Sequence, residues 1–209
     1  MSAPLDITVP LARGTAEWPG DTPFDCGWHA RIAEGSSVNL TRLTMSPHVA
    51  THADAPMHVR EGAPASEMLP VDAFIGAATV VVLRDATGPV TIDELTALGA
   101  PIGTERILLR TGASIAAGAF PDAWRTLAPD AAAAYARGGL RLLGVDAPSV
   151  DARTATTLAV HHALFDGGAF VLENLDLRAV AAGRYTLTAL PLRIIGADAA
   201  PVRALLTPA

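Results

Sequence analysis

Arg106-Ile107-Leu108-Leu109-Arg110, then Pro129-Asp130-Ala131-Ala132-Ala133-Ala134-Tyr135-Ala136-Arg137-Gly138-Gly139, then Leu140-Arg141-Leu142-Leu143-Gly144-Val145-Asp146 follow one another across residues 106–146. The middle segment has a proline near its first turn, four successive alanines, an arginine in its last turn and a glycine pair to stop it. That pattern predicts a helix over 129–137. The apolar flanks predict strands over 106–110 and 140–145. Strand, helix, strand in this order reads as a βαβ crossover.

Upstream, Thr79-Val80-Val81-Val82-Leu83 is a β-branched run typical of a strand buried on both faces, and we expect a strand over 77–83. Thr91–Leu98 reads as a helix with Thr91 as N-cap, Glu94 three residues on and Gly99 as terminator. Leu5–Leu11, Phe24–Ile32 and Val38–Met45 are candidate strands. Trp18-Pro19-Gly20-Asp21 has the residues of a type II turn, and Ser66–Phe74 reads as short helical or irregular structure. Downstream, Thr154–Leu164 is expected to be helical, and Ala169–Leu172 is a short strand leading to Glu173. Arg184–Ile195 is apolar and interrupted by Pro191, which places it at an edge or a bulge, and Val202–Leu206 closes the sheet. No internal repeat or low-complexity linker divides the chain. The expectation is one α/β domain over residues 1–209, built on a mixed, barrel-like β-sheet flanked by helices.

Bulk properties narrow the function. Half of the 209 residues are hydrophobic and 17% are charged, which excludes a disordered chain. The net charge is −6, and the fifteen basic residues are scattered arginines, so neither a nucleic-acid footprint nor a polybasic membrane anchor is present. Cys26 stands alone, which rules out an intrachain disulfide or a thiolate metal cluster. The first residues lack a basic segment followed by an apolar one, and no uncharged apolar run approaches membrane-spanning length. The expected setting is the cytoplasm.

The chemistry gathers in Ser46-Pro47-His48-Val49-Ala50-Thr51-His52-Ala53-Asp54-Ala55-Pro56-Met57-His58. Three of the six histidines fall in these thirteen residues. His48, His52, Asp54 and His58 share parity, so in an extended segment they point the same way. Pro56 argues against a helix through the motif and biases Ala55 towards extended geometry. The reading is a mostly extended loop that presents three imidazoles and a carboxylate. Without thiolates, imidazole and carboxylate are zinc's ligands, and three protein ligands plus water make a catalytic site. His48, His52 and Asp54 supply such a triplet, which leaves His58 as a further ligand or as a general acid/base. His161, His162 and Glu173 form a second cluster, the obvious donors for a second ion. His29 and Cys26 are read as structural, and Asp146 and Asp151 as caps for the segment that follows.

His48-x-x-x-His52-x-Asp54-x-Pro56-x-His58 resembles the signature of the metal-dependent cyclase-type hydrolases, a family that includes bacterial kynurenine formamidases. Trp18-Pro19-Gly20-Asp21, Gly144-Val145-Asp146-x-Pro148-Ser149-x-Asp151, His161-His162-Ala163-Leu164 and Leu190-Pro191-Leu192 extend the likeness over nearly the whole chain. The resemblance implies a swivelling β/β/α, cyclase-like domain and a homodimer with active sites near its interface. It implies that His48, His52 and Asp54 hold one zinc, and that Asp54 and Glu173 bridge to a second with His161 as a further ligand. His58 becomes the proton donor and acceptor, and Trp18 a contact for an aromatic formamide substrate. The implied reaction is hydrolysis of N-formyl-L-kynurenine to L-kynurenine and formate in tryptophan degradation, by a metal-activated hydroxide with histidine acid/base catalysis. Alternatives are a cyclic-amide or lactone hydrolase of the same family, manganese in place of zinc, and a non-catalytic metal-binding protein. One departure stands out: Ala50 occupies a position where the family usually has glycine.

Overall fold

A computed structural model of the chain describes residues 3–83 and 87–208. Its strands are β1 (Leu5–Asp6), β2 (Asp25–Ala30), β3 (Leu40–Thr44), β4 (His52–Asp54), β5 (Ile75–Val82), β6 (Arg106–Arg110), β7 (Leu142–Val145), β8 (Phe170–Glu173), β9 (Gly183–Thr188), β10 (Ala199–Pro201) and β11 (Leu205–Pro208). Its α-helices are α1 (Ile92–Ala97), α2 (Pro129–Arg137) and α3 (Ala159–Asp166). Nine strands form one mixed, curled sheet in the order β1-β11-β9-β5-β6-β7-β8-β4-β10, and β2 pairs with β3 in a separate hairpin.

The crossover expected over residues 106–146 is present. β6 and β7 are parallel neighbours joined through α2. The same connection is made twice more, from β5 through α1 to β6 and from β7 through α3 to β8, each time between parallel neighbours. Burial on both faces explains why these strands read as unbroken apolar runs. Ile107 and Leu109 pack with Val81, Leu143, Val145 and Val171 against the helices, whereas Leu108 joins Val80, Leu142, Leu172 and Leu187 on the opposite side. Gly144 lets that second layer close, because a Cβ there would lie 2.4 Å from Leu108 Cδ2. Thr91 caps α1 by accepting from the Glu94 amide at 3.2 Å.

Several boundaries differ from expectation. The first strand stops at Asp6, with one further bridge from Thr8 to Leu175. The segment from 184 is strand only over Gly183–Thr188, and Pro191 makes a single bridge to Val202. Residues 202–206 divide between that bridge and β11. Ser66–Phe74 folds as two 3-10 turns, Ser66–Met68 and Val71–Ala73. The Trp18 turn is as read: the Asp21 amide donates to the Trp18 carbonyl at 2.9 Å, and Gly20 takes φ +93°. Among the described residues, no helix is long and apolar enough to cross a membrane.

Candidate metal centre and active-site cleft

Strand register assembles the centre. β4 lies antiparallel to β8 with His52 directly opposite Glu173, so both side chains project from one face, and Asp54, two residues along, shares it. Only residues 52–54 of the histidine loop are strand. His48 arrives on the turn before β4, and His58 closes a 3-10 helix over Pro56–His58. Strand parity therefore aligns His52 and Asp54, while turns deliver the other two. Ala55 is extended, at φ −93° and ψ 156°, as its following proline requires. His161 comes from the first turn of α3 and Glu173 from the carboxyl end of β8, in keeping with the habit of open α/β sheets of placing ligands outside those strand ends.

Asp54, fully buried, is the hub. Its Oδ1 lies 3.1 Å from His48 Nδ1 and 3.3 Å from His52 Nε2, and its Oδ2 lies 3.2 Å from His161 Nε2. Glu173 adds Oε2 at 3.5 Å from His52 Nε2 and Oε1 at 3.4 Å from His161 Nε2. Two compact donor groups share Asp54: His48, Asp54 and His58, and His52, Asp54 and Glu173, each with one ligand atom per residue within 4.8 Å of the others. The six candidate residues named from sequence thus meet in one place. His162 does not; it turns to Arg60, whose Nη2 lies 3.4 Å from His162 Nδ1.

Each inner imidazole is held from behind. His52 Nδ1 donates to the Ala50 carbonyl at 2.9 Å, which holds the ring with Nε2 turned towards Asp54 and Glu173. His161 Nδ1 lies 2.7 Å from Asp151 Oδ2, and Asp151 also accepts the Val160 and His161 amides, each at 3.0 Å. Asp151 is a cap, as expected, but the same carboxylate aims a candidate ligand. His48 Nε2 is 2.9 Å from Asp198 Oδ2. Nothing local in sequence singled out Asp198.

Backbone strain collects here too. Ala50, Leu158 and Asn174 are the non-glycine residues with positive φ among those described, at 61°, 46° and 55°. Ala50 sits between His48 and His52, Leu158 starts the helix bearing His161, and Asn174 follows Glu173. Each such conformation costs on the order of 1–3 kcal/mol and persists where the surroundings enforce it, commonly at functional sites. At Ala50 the methyl costs about 1 kcal/mol relative to glycine. Its burial with Val9, Val49 and Ile115 returns a comparable amount, about 0.8 kcal/mol per buried carbon group.

His48, His52, His58, His161 and Glu173 line a cleft of about 650 Å³, within the range of small-molecule sites. Met45, Pro148 and Leu158 line it, with Trp18 and Phe120 as its aromatic rings. The Trp18 ring meets Phe120 edge-on at 5.4 Å and Trp124 at 6.2 Å, and Trp124 is anchored by donating to the Asp151 carbonyl at 2.9 Å. Trp18 keeps 39% of its surface exposed, so its ring remains available to a ligand.

In metal-free protein the clustered carboxylates favour the protonated imidazoles. Burial pushes His48 down, but the neighbouring Asp198 and Asp54 carboxylates outweigh it and raise its pKa to about 9. Burial likewise opposes charge on His52, and the Asp54 and Glu173 carboxylates override it and raise the pKa to about 10. A histidine raised above its unfolded value contributes stability that is complete below about pH 6.5 and is lost as pH rises through the folded value. The melting temperature of metal-free protein is therefore expected to fall between pH 7 and 10, and added divalent ion at pH 8 should displace protons, read as buffer-dependent binding heats. A flat metal-free melting profile across that window would contradict this electrostatic picture.

A family model described as "Putative cyclase" matches residues 5–152. The kynurenine formamidase of Salinibacter ruber is 44% identical over 204 residues, covering 97% of this chain and 96% of the relative. The chain belongs to the kynurenine formamidase family. Among solved structures, a predicted metal-dependent hydrolase from Bacillus stearothermophilus superposes with a TM-score of 0.82 at 30% identity, covering 98% of this chain and 97% of the other. Isatin hydrolase A from Labrenzia aggregata superposes at 0.81 with 21% identity, covering 98% and 93%, and shares the fold. The curled sheet is thus the cyclase fold. For a chain of the kynurenine formamidase family, the donors fit a divalent ion on their own chemistry. His52 Nε2 and Asp54 Oδ1 are buried with no hydrogen-bond partner, although they lie only 3.3 Å apart. Leaving such groups unsatisfied costs about 1–3 kcal/mol each, and a cation between them removes both penalties. The imidazole and carboxylate set suits zinc and does not exclude manganese.

Proposed function

We propose that the chain hydrolyses the formamide bond of N-formyl-L-kynurenine, a step of tryptophan degradation, releasing L-kynurenine and formate. The observation that carries this reading is Asp54, one buried carboxylate whose Oδ1 faces His48 and His52 and whose Oδ2 faces His161, beside a cleft lined by Trp18 and Phe120. The 44% identity to a kynurenine formamidase supports the choice of substrate. We assign two divalent ions, zinc before manganese. His48, His52 and Asp54 hold one, and Asp54, His161 and Glu173 hold the other. When bound, such ions supply Lewis acidity, making hydroxide available near neutrality and polarising the formyl oxygen.

The chain's own residues do the rest. His58, part-exposed beside the donors, holds a proton for the departing nitrogen. As hydroxide adds to the formyl carbon and the C–N bond breaks, His58 protonates the aniline nitrogen, a poor leaving group without that proton. Trp18 lies along the substrate's aromatic ring, with Phe120 supporting it from the side. Assay of purified protein on N-formylkynurenine, isatin and simple lactones tests the substrate. We expect turnover of the first to exceed the others, and absence of kynurenine release would sink the reading.

We also propose a homodimer. The β2–β3 hairpin leaves Trp28, Ile32, Leu40 and Leu43 about half exposed or more, an apolar patch of the kind that marks a protein contact. Light scattering should give twice the chain mass, and a Trp28→Asp, Leu43→Asp double variant should shift it to the monomer. A wild-type monomer at micromolar concentration would refute this assembly.

A further inference from the structure

Asp198 is a carboxylate of the cleft lining that faces the imidazoles. It sits immediately before β10, in a segment tied to the histidine loop by the Ala55 amide, which donates to the Asp198 carbonyl at 2.9 Å. One of its oxygens, Oδ2, faces two imidazoles: His48 Nε2 at 2.9 Å and His58 Nδ1 at 3.3 Å. The two rings lie against one another with centroids 4.3 Å apart. The backs of His52 and His161 are already taken by the Ala50 carbonyl and Asp151, so Asp198 completes the supports for the imidazoles around the centre.

We propose that Asp198 is the positioning residue for His58: by accepting from Nδ1–H, it fixes the tautomer and turns Nε2 towards the nitrogen that leaves. A carboxylate bound to one imidazole nitrogen determines which tautomer the other nitrogen presents. The 3-10 turn carrying His58 has no side-chain cap bond of its own, and the His58 side chain is about one-third exposed. Among the described residues, Asp198 supplies the hydrogen bond to its ring, beside the packing of His48 against it. The shared oxygen also couples the proton donor to His48, so the acid and the metal-side ligand keep a constant separation.

The inference rests on the reading of His58 as the group that protonates the leaving nitrogen, and the test separates the two. Wild type, Asp198→Asn, His58→Ala and the double variant are assayed on N-formylkynurenine and on phenyl formate, with metal content measured on each. Phenolate departs without a proton, so the ester reports everything except the acid step. Asparagine keeps the shape of the side chain, but its amide can donate to Nδ1 and select the other tautomer. Asp198→Asn is expected to lower kcat on the amide by roughly 10- to 100-fold, as loss of a supporting hydrogen bond typically does, with metal content unchanged and little change on the ester. His58→Ala should show the same selectivity in stronger form, and the double variant should be no worse than His58→Ala. Equal losses on amide and ester, or loss of metal in Asp198→Asn, would overturn the proposal and assign Asp198 to His48 alone. If His58→Ala itself spares the amide, the acid role of His58 falls, and this inference falls with it.

Discussion

His58→Ala is expected to reduce kcat on N-formylkynurenine by about 10²- to 10⁴-fold, the usual range for a lost general acid, while metal content and fold are retained. The physical reason is the leaving group: hydroxide can add to the formyl carbon without His58, but an aniline nitrogen expelled as an anion carries the barrier. The side chain is part-exposed, and its described polar partner is Asp198, so truncation strands no buried charge. Circular dichroism and metal analysis serve as controls. If His58→Ala loses its metal along with activity, His58 is a ligand, as its place in the His48, Asp54, His58 group would then indicate. Wild-type turnover in this variant would remove it from the chemistry.

Asp54→Asn should have the larger effect. Asp54 is fully buried and lies against three imidazoles. Burial alone would raise its pKa, but the neighbouring imidazoles, His52 foremost, hold it well below the ordinary carboxylate value. Asparagine preserves the volume but removes the anion common to both donor groups. The variant is expected to bind less than half the wild-type metal and to lose turnover by more than about 10⁴-fold, which is still only part of the acceleration enzymes supply. Retention of both metal and turnover would show that Asp54 is not the hub.

Much of this site can be read from the sequence because its inner donors are local or lie on strands. His52 and Asp54 share parity on β4, and that geometry survives intact. Glu173 ends a short apolar strand, and pairing with β4 sets it opposite His52. The extended reading fails at His48 and His58 because a turn and a 3-10 helix carry them, and the period of two does not apply to either. Asp151 was visible in the segment around Ser149 as a cap; that it also aims His161 depends on where α3 begins. The expected start at Thr154 is too early, since Leu158 takes φ 46° and the helix opens at Ala159 under Asp151. Asp198 lies 140 residues from His58, and no spacing rule links positions joined only by β10 pairing with β4.

The fold follows the same division. The β6–α2–β7 crossover announces itself through caps and composition. The strands that read too long, 5–11 and 184–195, are cut where partners run out: after Asp6 only Thr8 finds a bridge, and beyond Thr188 Pro191 cannot donate to a ladder. Strand length is decided by neighbours as much as by the residues themselves.

In this reading a divalent-metal centre built on Asp54 drives formamide hydrolysis. Its most direct test is kynurenine release from N-formylkynurenine by purified protein, measured before chelation, after removal of metal, and after titration back with zinc while bound metal is counted. Chelation is expected to abolish turnover, and recovery should saturate near two ions per chain. Undiminished turnover in protein shown to contain no metal would contradict it.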